Sequence, residues 1–593
     1  MAIEAIRKGG SFLIEETDPQ EVFTPEDFSD EQRMFAKTAE DFLANEVMTT
    51  VERTEAKEEG LMVGLFKKAG ELGLLMIDVP EKYGGLGLDK ATSMLVSEVI
   101  SQGGAFATTY GAHCGIGTLP IVYFGNEEQK QKYLPRLATG ELVSCYALTE
   151  AGSGSDALAA RARAELSEDG KHWILNGEKT FISNGGFADL YIVFAKVDGE
   201  KFSCFIVERD MGIGIGAEEK KMGIKGSSTV QIYLENTKVP VENLLGEIGK
   251  GHKIAFNILN VGRFKLGVGC VGSAKLAFND AVTYAKQRHQ FGRPIADFGM
   301  IKNKIADMAT QIYAVESMSY RTAGLLNTIL APIDGNDPDY AQKTMAGIEE
   351  YVTECSVMKI KGSEMLDLVV DEVVQVYGGY GYIADYPAER YYRDSRVARI
   401  YEGTNEINRM LTPGMLLKRA LKGELPLLAA AKKLQDELLE APSFGEEEED
   451  GVLAEERKLI TNARKVSLLT LGLAAQRFGE KLQDEQGVLG DVADVIIETY
   501  GMESSWLRTM KLVAARGEEV AGNAIDMTRL YVNEAMGKID LWAREVLAAC
   551  SEGDELRTML AALRRLVRYT PVDSLHLRLR VADHFIAKEK YEI

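Results

Sequence analysis

The sequence predicts a mainly α-helical protein with a small β domain set between helical segments and an extra helical domain at its C-terminal end. Three observations carry that expectation. Amphipathic helical periods run through residues 25–142, 249–422 and 452–593, while short alternating apolar runs fill 143–248. An acidic stretch flanked by Pro and Gly parts the last two helical regions. A chain of 593 residues is also too long for one core, so roughly three to five structural units are expected.

In the first region Pro25 and Glu26 open a helix, and Asp30 to Ala36 continue it with an amphipathic period. A glycine-rich turn, Pro80-Glu81-Lys82-Tyr83-Gly84-Gly85-Leu86-Gly87, interrupts this region, and helix resumes from Lys90. The runs Trp173–Asn176, Leu190–Ala195 and Ser203–Val207, parted by Asp-Gly and Asn-Gly turns, predict a small antiparallel sheet. Long helices follow from Gly249 to about Lys422. Residues 423–451 read as a linker, with Glu446-Glu447-Glu448-Glu449-Asp450 as a solvated block. Within it Leu425–Leu439 is amphipathic, but a helix lying in a membrane interface would be richer in cations, so packing against the dimer core is expected. Beyond the linker, Glu455–Arg477 and Glu518–Ala548 read as helices.

Apolar residues make up 46% and charged residues 27%, an ordinary soluble composition. The six cysteines include no CxxC pair, which argues against a zinc site or a disulfide framework and for a reducing compartment. Met1 to Lys8 is not followed by a signal-type apolar block, and no apolar run reads as long enough to span a bilayer. The expected location is the cytoplasm, with peripheral contact at the inner membrane face left open. A net charge of −22 repels nucleic acid and acidic lipid, so an anionic ligand needs a local cluster of donors.

Five segments carry chemistry. In Arg399-Ile400-Tyr401-Glu402-Gly403-Thr404-Asn405-Glu406-Ile407 a carboxylate stands before a glycine and a helix-capping pair, among apolar neighbours. Such an acid is a candidate general base with a tunable pKa; the alternative is a solvated turn. Tyr146-Ala147-Leu148-Thr149-Glu150-Ala151-Gly152-Ser153-Gly154-Ser155-Asp156 leads a strand into a loop of hydroxyls and free amides, fit for a flat heterocycle or a phosphate, or simply a tight turn. Thr180-Phe181-Ile182-Ser183-Asn184-Gly185-Gly186 ends a strand in an aromatic and a hydroxyl. Lys286-Gln287-Arg288-His289-Gln290-Phe291-Gly292 sets a cationic fork at a helix end, where a pyrophosphate clamp and a dipole partner are both open. Gln375-Val376-Tyr377-Gly378-Gly379-Tyr380-Gly381 is either a helix terminator or a site of close backbone approach.

Taken in this order and at these separations, the five segments resemble the acyl-CoA dehydrogenase family over about residues 25–415. Met222-Gly223-Ile224-Lys225-Gly226-Ser227-Ser228-Thr229, Ile258 to Phe264 and Gly111-Ala112-His113 are most similar to the very-long-chain branch, which also carries an extra helical domain. The resemblance implies FAD-dependent α,β-dehydrogenation of an acyl-CoA thioester, homodimeric assembly, and electron transfer to electron-transfer flavoprotein, docked near Glu235. An acyl-CoA oxidase is the enzymatic alternative. By resemblance Glu402 is the base, with its own backbone amide facing the thioester oxygen. The helix position next to Arg263, which holds the base in some relatives, is Gly262 here. The same match implies that Tyr146, Leu148, Thr149, Phe181 and Ser183 surround the flavin. Arg288, Phe291, Gln375, Gly378 and Gly379 would reach FAD from a neighbouring subunit, with Thr404 and Glu406 near its adenosine half. Ser155, Asn260, Arg263 and Gly403 fall on substrate positions, Arg263 as partner of a CoA phosphate, with a structural ion pair as the alternative. Phe181 and Ala151 depart from the usual Trp and Pro. The small-residue run Gly111 to Gly117 stands where relatives close the acyl tunnel, implying a deep pocket; close helix packing is the alternative.

Overall fold

In the computed structural model, residues 6–335, 337, 339–439 and 451–593 are described. The acidic block at 446–450 lies outside them. The N-terminal region holds α1 (Asp30–Phe42), α2 (Leu61–Glu71), α3 (Lys90–Ile100), α4 (Ala105–Gly111) and α5 (Glu127–Ala138). Ser29 starts α1 with a capping box, and Asp89 caps α3 by accepting from the Thr92 amide, so both helices begin where orphan amides find side-chain oxygens. The turn Pro80–Gly87 separates them as expected. After α4 the chain winds one residue wider, in a π-helical turn from Ala112 to Gly117.

Eight strands form the middle sheet: β1 (Ser144–Ala147), β2 (Arg163–Leu166), β3 (His172–Ser183), β4 (Leu190–Val197), β5 (Lys201–Glu208), β6 (Gly214–Glu218), β7 (Thr229–Pro240) and β8 (Leu244–Leu245). Their order is β6-β7-β3-β2-β4-β5-β8, with β1 on β4. The sheet is antiparallel apart from β1–β4 and β2–β4, which are parallel, a departure from the wholly antiparallel expectation. Both exceptions follow from long connections that cross back before pairing, where a hairpin would have reversed the chain.

The helical bundle that follows comprises α6 (Gly251–Gln287), α7 (Gly299–Leu330), α8 (Val352–Tyr377), α9 (Ala388–Ser395) and α10 (Asn405–Leu421). Helix α6 is apolar on most sides; Phe264, Val268, Val271, Ala274 and Phe278 are buried between α7, α8 and the N-terminal helices. It is long and apolar enough to cross a membrane, which the sequence reading had not found, yet 67% of that stretch is buried inside the fold. It is the central helix of the core.

The extra domain contains α11 (Leu427–Leu439), α12 (Ala454–Phe478), α13 (Gln486–Arg516), α14 (Gly522–Cys550), α15 (Gly553–Leu566) and α16 (Ser574–Lys588). Part of the expected linker 423–451 is therefore helix. Leu425, Leu427, Ala431 and Leu434 are buried, and α11 lies along α12, so its apolar face is covered by protein. The domain joins the bundle through polar pairs between buried helices. Tyr313 Oη bonds Thr509 Oγ1 at 2.7 Å, Lys361 Nζ donates to Glu498 at 2.6 Å, and Arg321 Nη1 meets Glu503 at 3.1 Å. Arg508 bridges Glu316 of α7 (2.6 Å) and Glu26 of the N-terminal segment (2.7 Å), while Lys275 of α6 joins Glu316 to Glu98 of α3. This network ties three domains, and a lost partner leaves an uncompensated buried charge. Arg508→Met is expected to lower stability by about 3–5 kcal/mol, read as an earlier denaturant midpoint; an unchanged midpoint would contradict the network's role.

Candidate active site

Glu402 sits between α9 and α10, in a turn with φ of +58°, followed by Gly403 at +79°. A left-handed glutamate is uncommon, and here surrounding bonds impose it. Arg263 Nε donates to the Glu402 carbonyl at 3.2 Å, Asn408 Nδ2 donates to the Gly403 carbonyl at 2.9 Å, and Thr404 caps α10 by accepting from the Ile407 amide. The side chain is thereby aimed at α6. A Cβ built on Gly262 would lie 2.5 Å from Glu402 Oε2 and 2.8 Å from the carboxyl carbon, so no other residue at 262 leaves the carboxyl in place.

Glu402 Oε2 is buried and has no hydrogen-bond partner among the described residues. Its side chain faces a cavity yet is walled by protein atoms, and the lost solvation pushes its pKa up to about 7, against the lowering effect of Arg263 and Lys359. Among the described residues no acceptor takes the Glu402 amide hydrogen. A carboxyl titrating near neutrality, beside an unspent N–H, can accept a proton while the amide stabilises negative charge on a nearby oxygen.

The cavity, about 250 Å³, is lined by Glu402, Ser183 and Gly262 and continues along one face of α6 past Leu266, Gly269, Ser273 and Leu276. Those positions follow the helical repeat and span about 21 Å of axis. Opposite them stand Gly111, Ala112, Cys114 and Gly115 of α4 and the π-helical turn, so the small-residue run lies on the cavity wall.

The strand-end residues gather on the same side of the sheet. Tyr146 and Leu148 are buried, while Phe181 is 65% exposed with φ of +59°, in an irregularity of the β3–β7 register between Lys179 and Ile182. Bulges of this kind re-aim side chains beside functional sites. Lys179, fully buried, braces the segment: it donates to the Leu148 carbonyl at 3.1 Å and to Glu150 Oε1 at 2.7 Å. Glu150 in turn accepts from the Arg161 and Ala162 amides, and the Thr180 amide donates to the Thr149 carbonyl at 2.9 Å. The loop after β1 is thus held open at fixed height, with Ser155 exposed at its edge. An exposed aromatic, the Ser183 hydroxyl and the backbone of Leu148–Thr149 together offer a flat, hydrogen-bonding face that fits a planar ring.

Arg288, Phe291, Gln375, Gly378 and Gly379 form a separate cluster where α6 and α8 end. Arg288 stacks over the Tyr380 ring at 5.4 Å and Phe291 is 93% exposed. Arg288 is about 39 Å along α6 from Gly262, so within one chain this cluster does not join the Glu402 group. Glu406 is exposed on the first turn of α10. Asn260 and Arg263 pair with each other inside the fold, in line with the structural alternative for Arg263. They are 5% and 6% exposed, and Arg263 Nη1 donates to Asn260 Oδ1 at 2.9 Å. The loop folded across α6 covers them, so Arg263 orients the Glu402 turn. Sequence reasoning missed Lys179, Asn408 and Lys359; Lys359 lies in the mixed run Ser356-Val357-Met358-Lys359-Ile360-Lys361, which offers no distinguishing signal.

Comparison with known proteins bears on the family and the order of its domains. Residues 29–141 match the acyl-CoA dehydrogenase N-terminal domain, 145–237 the middle domain and 249–413 the C-terminal domain, with a further acyl-CoA dehydrogenase C-terminal domain at 462–565. A probable acyl-CoA dehydrogenase of Bacillus subtilis is 51% identical over 99% of both chains. The mitochondrial very long-chain specific acyl-CoA dehydrogenase of Rattus norvegicus is 40% identical, over 60% of this chain and 53% of that one. An acyl-CoA dehydrogenase of Bacillus anthracis, solved in complex with FAD, superposes with a TM-score of 0.97 at 52% identity, covering 99% of this chain and 100% of that one. With its domains matched in order and the Bacillus subtilis and Bacillus anthracis proteins alike over nearly full length, the chain belongs to the acyl-CoA dehydrogenase family.

Proposed function

We propose that the protein dehydrogenates long-chain acyl-CoA thioesters between their α and β carbons, giving the trans-2-enoyl product of fatty-acid β-oxidation, with Glu402 as the base. The observation that carries this reading is the Glu402 carboxyl at the head of a long cavity, its buried Oε2 without a partner among the described residues. Leu148–Thr149, Phe181 and Ser183 would hold FAD, which would supply the acceptor for the β hydride. Glu402 takes the α proton, and its backbone amide meets the thioester oxygen where charge develops. Gly262 leaves the carboxyl free to approach, while Arg263 keeps the turn in register.

Chain length rests on the cavity. Its wall along α6 spans about 21 Å, longer than the roughly 15 Å that one leaflet of a bilayer's hydrocarbon core allots to an acyl tail. Gly115 faces open space on that wall, with nothing within 4 Å of an added Cβ.

The cluster of Arg288, Phe291, Gln375, Gly378 and Gly379 supports a homodimer in which a second copy brings these residues to the cofactor. The exposed Phe291, Met300, Tyr382 and Ile383 would be covered there. Electron-transfer flavoprotein is the proposed acceptor, with the exposed Phe181 at the cofactor's edge. Cytoplasmic location is proposed from the sequence alone.

Two measurements test the reading. Anaerobic flavin bleaching by palmitoyl-CoA should slow about 10²–10⁴-fold in Glu402→Gln; bleaching as fast as wild type would refute the base. Gly115→Leu should lose about 100-fold in kcat/KM for palmitoyl-CoA while keeping butyryl-CoA turnover; equal losses on both would contradict the tunnel.

A further inference from the structure

Lys359 of α8 is 0% exposed. Its ammonium carries three donors, yet its one hydrogen bond among the described residues goes to Asn405 Oδ1, at 2.6 Å. Asn405 is the first residue of α10, three positions after Glu402. Its side-chain amide donates to Ser363 Oγ at 3.1 Å and to Glu364 Oε1 at 3.0 Å. Lys359 and Ser363, one turn apart on α8, therefore grip the residue that starts α10 and so fix where the Glu402 turn ends.

A buried cation is costly without an anion nearby. The charged and titratable groups around Lys359 are Arg263 and Cys270 from α6, Glu402 from the turn and Glu406 from α10, with Cys355 and Glu364 on α8 itself. Burial pushes both thiols up to about 12, so they stay neutral. Arg263 repels the ammonium. Glu406 is exposed, and Glu364 is engaged by Arg409 at 2.7 Å and 2.9 Å. Ionised Glu402 is the interior anion left to compensate the lysine.

We propose that Lys359 is the positioning residue of the base, anchoring the Glu402 turn through Asn405 and holding the Glu402 carboxyl in its ionised, proton-accepting form. The inference rests on Glu402 being the base. Desolvation lowers Lys359 to about 8 and raises Glu402 to about 7, while the charge of each opposes the other's shift. Each charge favours the other. Removing the ammonium makes Glu402 harder to ionise, and the acid limb of the rate profile moves to higher pH.

The test is the pH profile of kcat/KM for palmitoyl-CoA in flavin-loaded wild type, Lys359→Met and Lys359→Arg. Lys359→Met is expected to shift the acid limb upward by about one pH unit, losing about tenfold below the limb and little above it. Lys359→Arg should return the limb towards wild type. A limb unmoved in Lys359→Met, or a uniform loss at every pH, would overturn the proposal. If Lys359→Met does not fold, Lys359→Gln is measured for the same limb, with the same outcomes. Glu402→Gln run in parallel keeps the two claims apart: wild-type turnover there would refute the base, whereas an unmoved limb with Glu402→Gln inactive refutes Lys359 alone.

Discussion

The approach of the Glu402 carboxyl to the bare backbone of α6 at Gly262 is the constraint on which the site depends. A carboxyl placed 2.5 Å from where a Cβ would stand requires a glycine at 262. The same approach expels water from Oε2, and that desolvation, larger than the opposing pull of Arg263 and Lys359, brings the acid to about 7. The left-handed turn, the Arg263 bond to its carbonyl and the cap of α10 are the means by which the chain holds an otherwise unfavourable geometry.

The larger architecture serves this contact from three directions. The sheet presents Leu148, Thr149, Phe181 and Ser183 because Lys179, paired with Glu150, locks β3 to the loop after β1. The N-terminal helices supply the small residues opposite α6, and the wider π-helical turn opens the wall there. The extra domain is bonded to α7 and α8 through Arg508, Arg321 and Lys361, which braces the far side of the two helices that carry Gly262 and Lys359 or pack on them.

The order of domains was legible in the sequence because periodicity changes sharply near residues 143 and 249. Glu402, Phe181 and Ser183 were singled out by their motifs, and the fold brings Glu402 and Ser183 to one cavity. Other features were not, each for a physical reason. Parallel pairing of β1 and β2 with β4 depends on long crossings that local alternation does not encode. Helix α11 fell inside an expected linker because the acidic block after it dominated the composition. Arg263 left a phosphate ligand and a structural pair both open, since its charge is visible in the sequence while its burial under the Glu402 turn is a property of the folded contact. Lys359 gave no motif at all; its part depends on Asn405, which is distant along the chain.

The central claim is that burial poises Glu402 to take a proton near neutral pH. Difference infrared titration of wild type against Glu402→Gln, without substrate, isolates that carboxyl's ionisation. The structure predicts a midpoint at about 7. A midpoint in the ordinary carboxylate range would mean that water reaches Oε2 and that the contact with Gly262 does not set the chemistry.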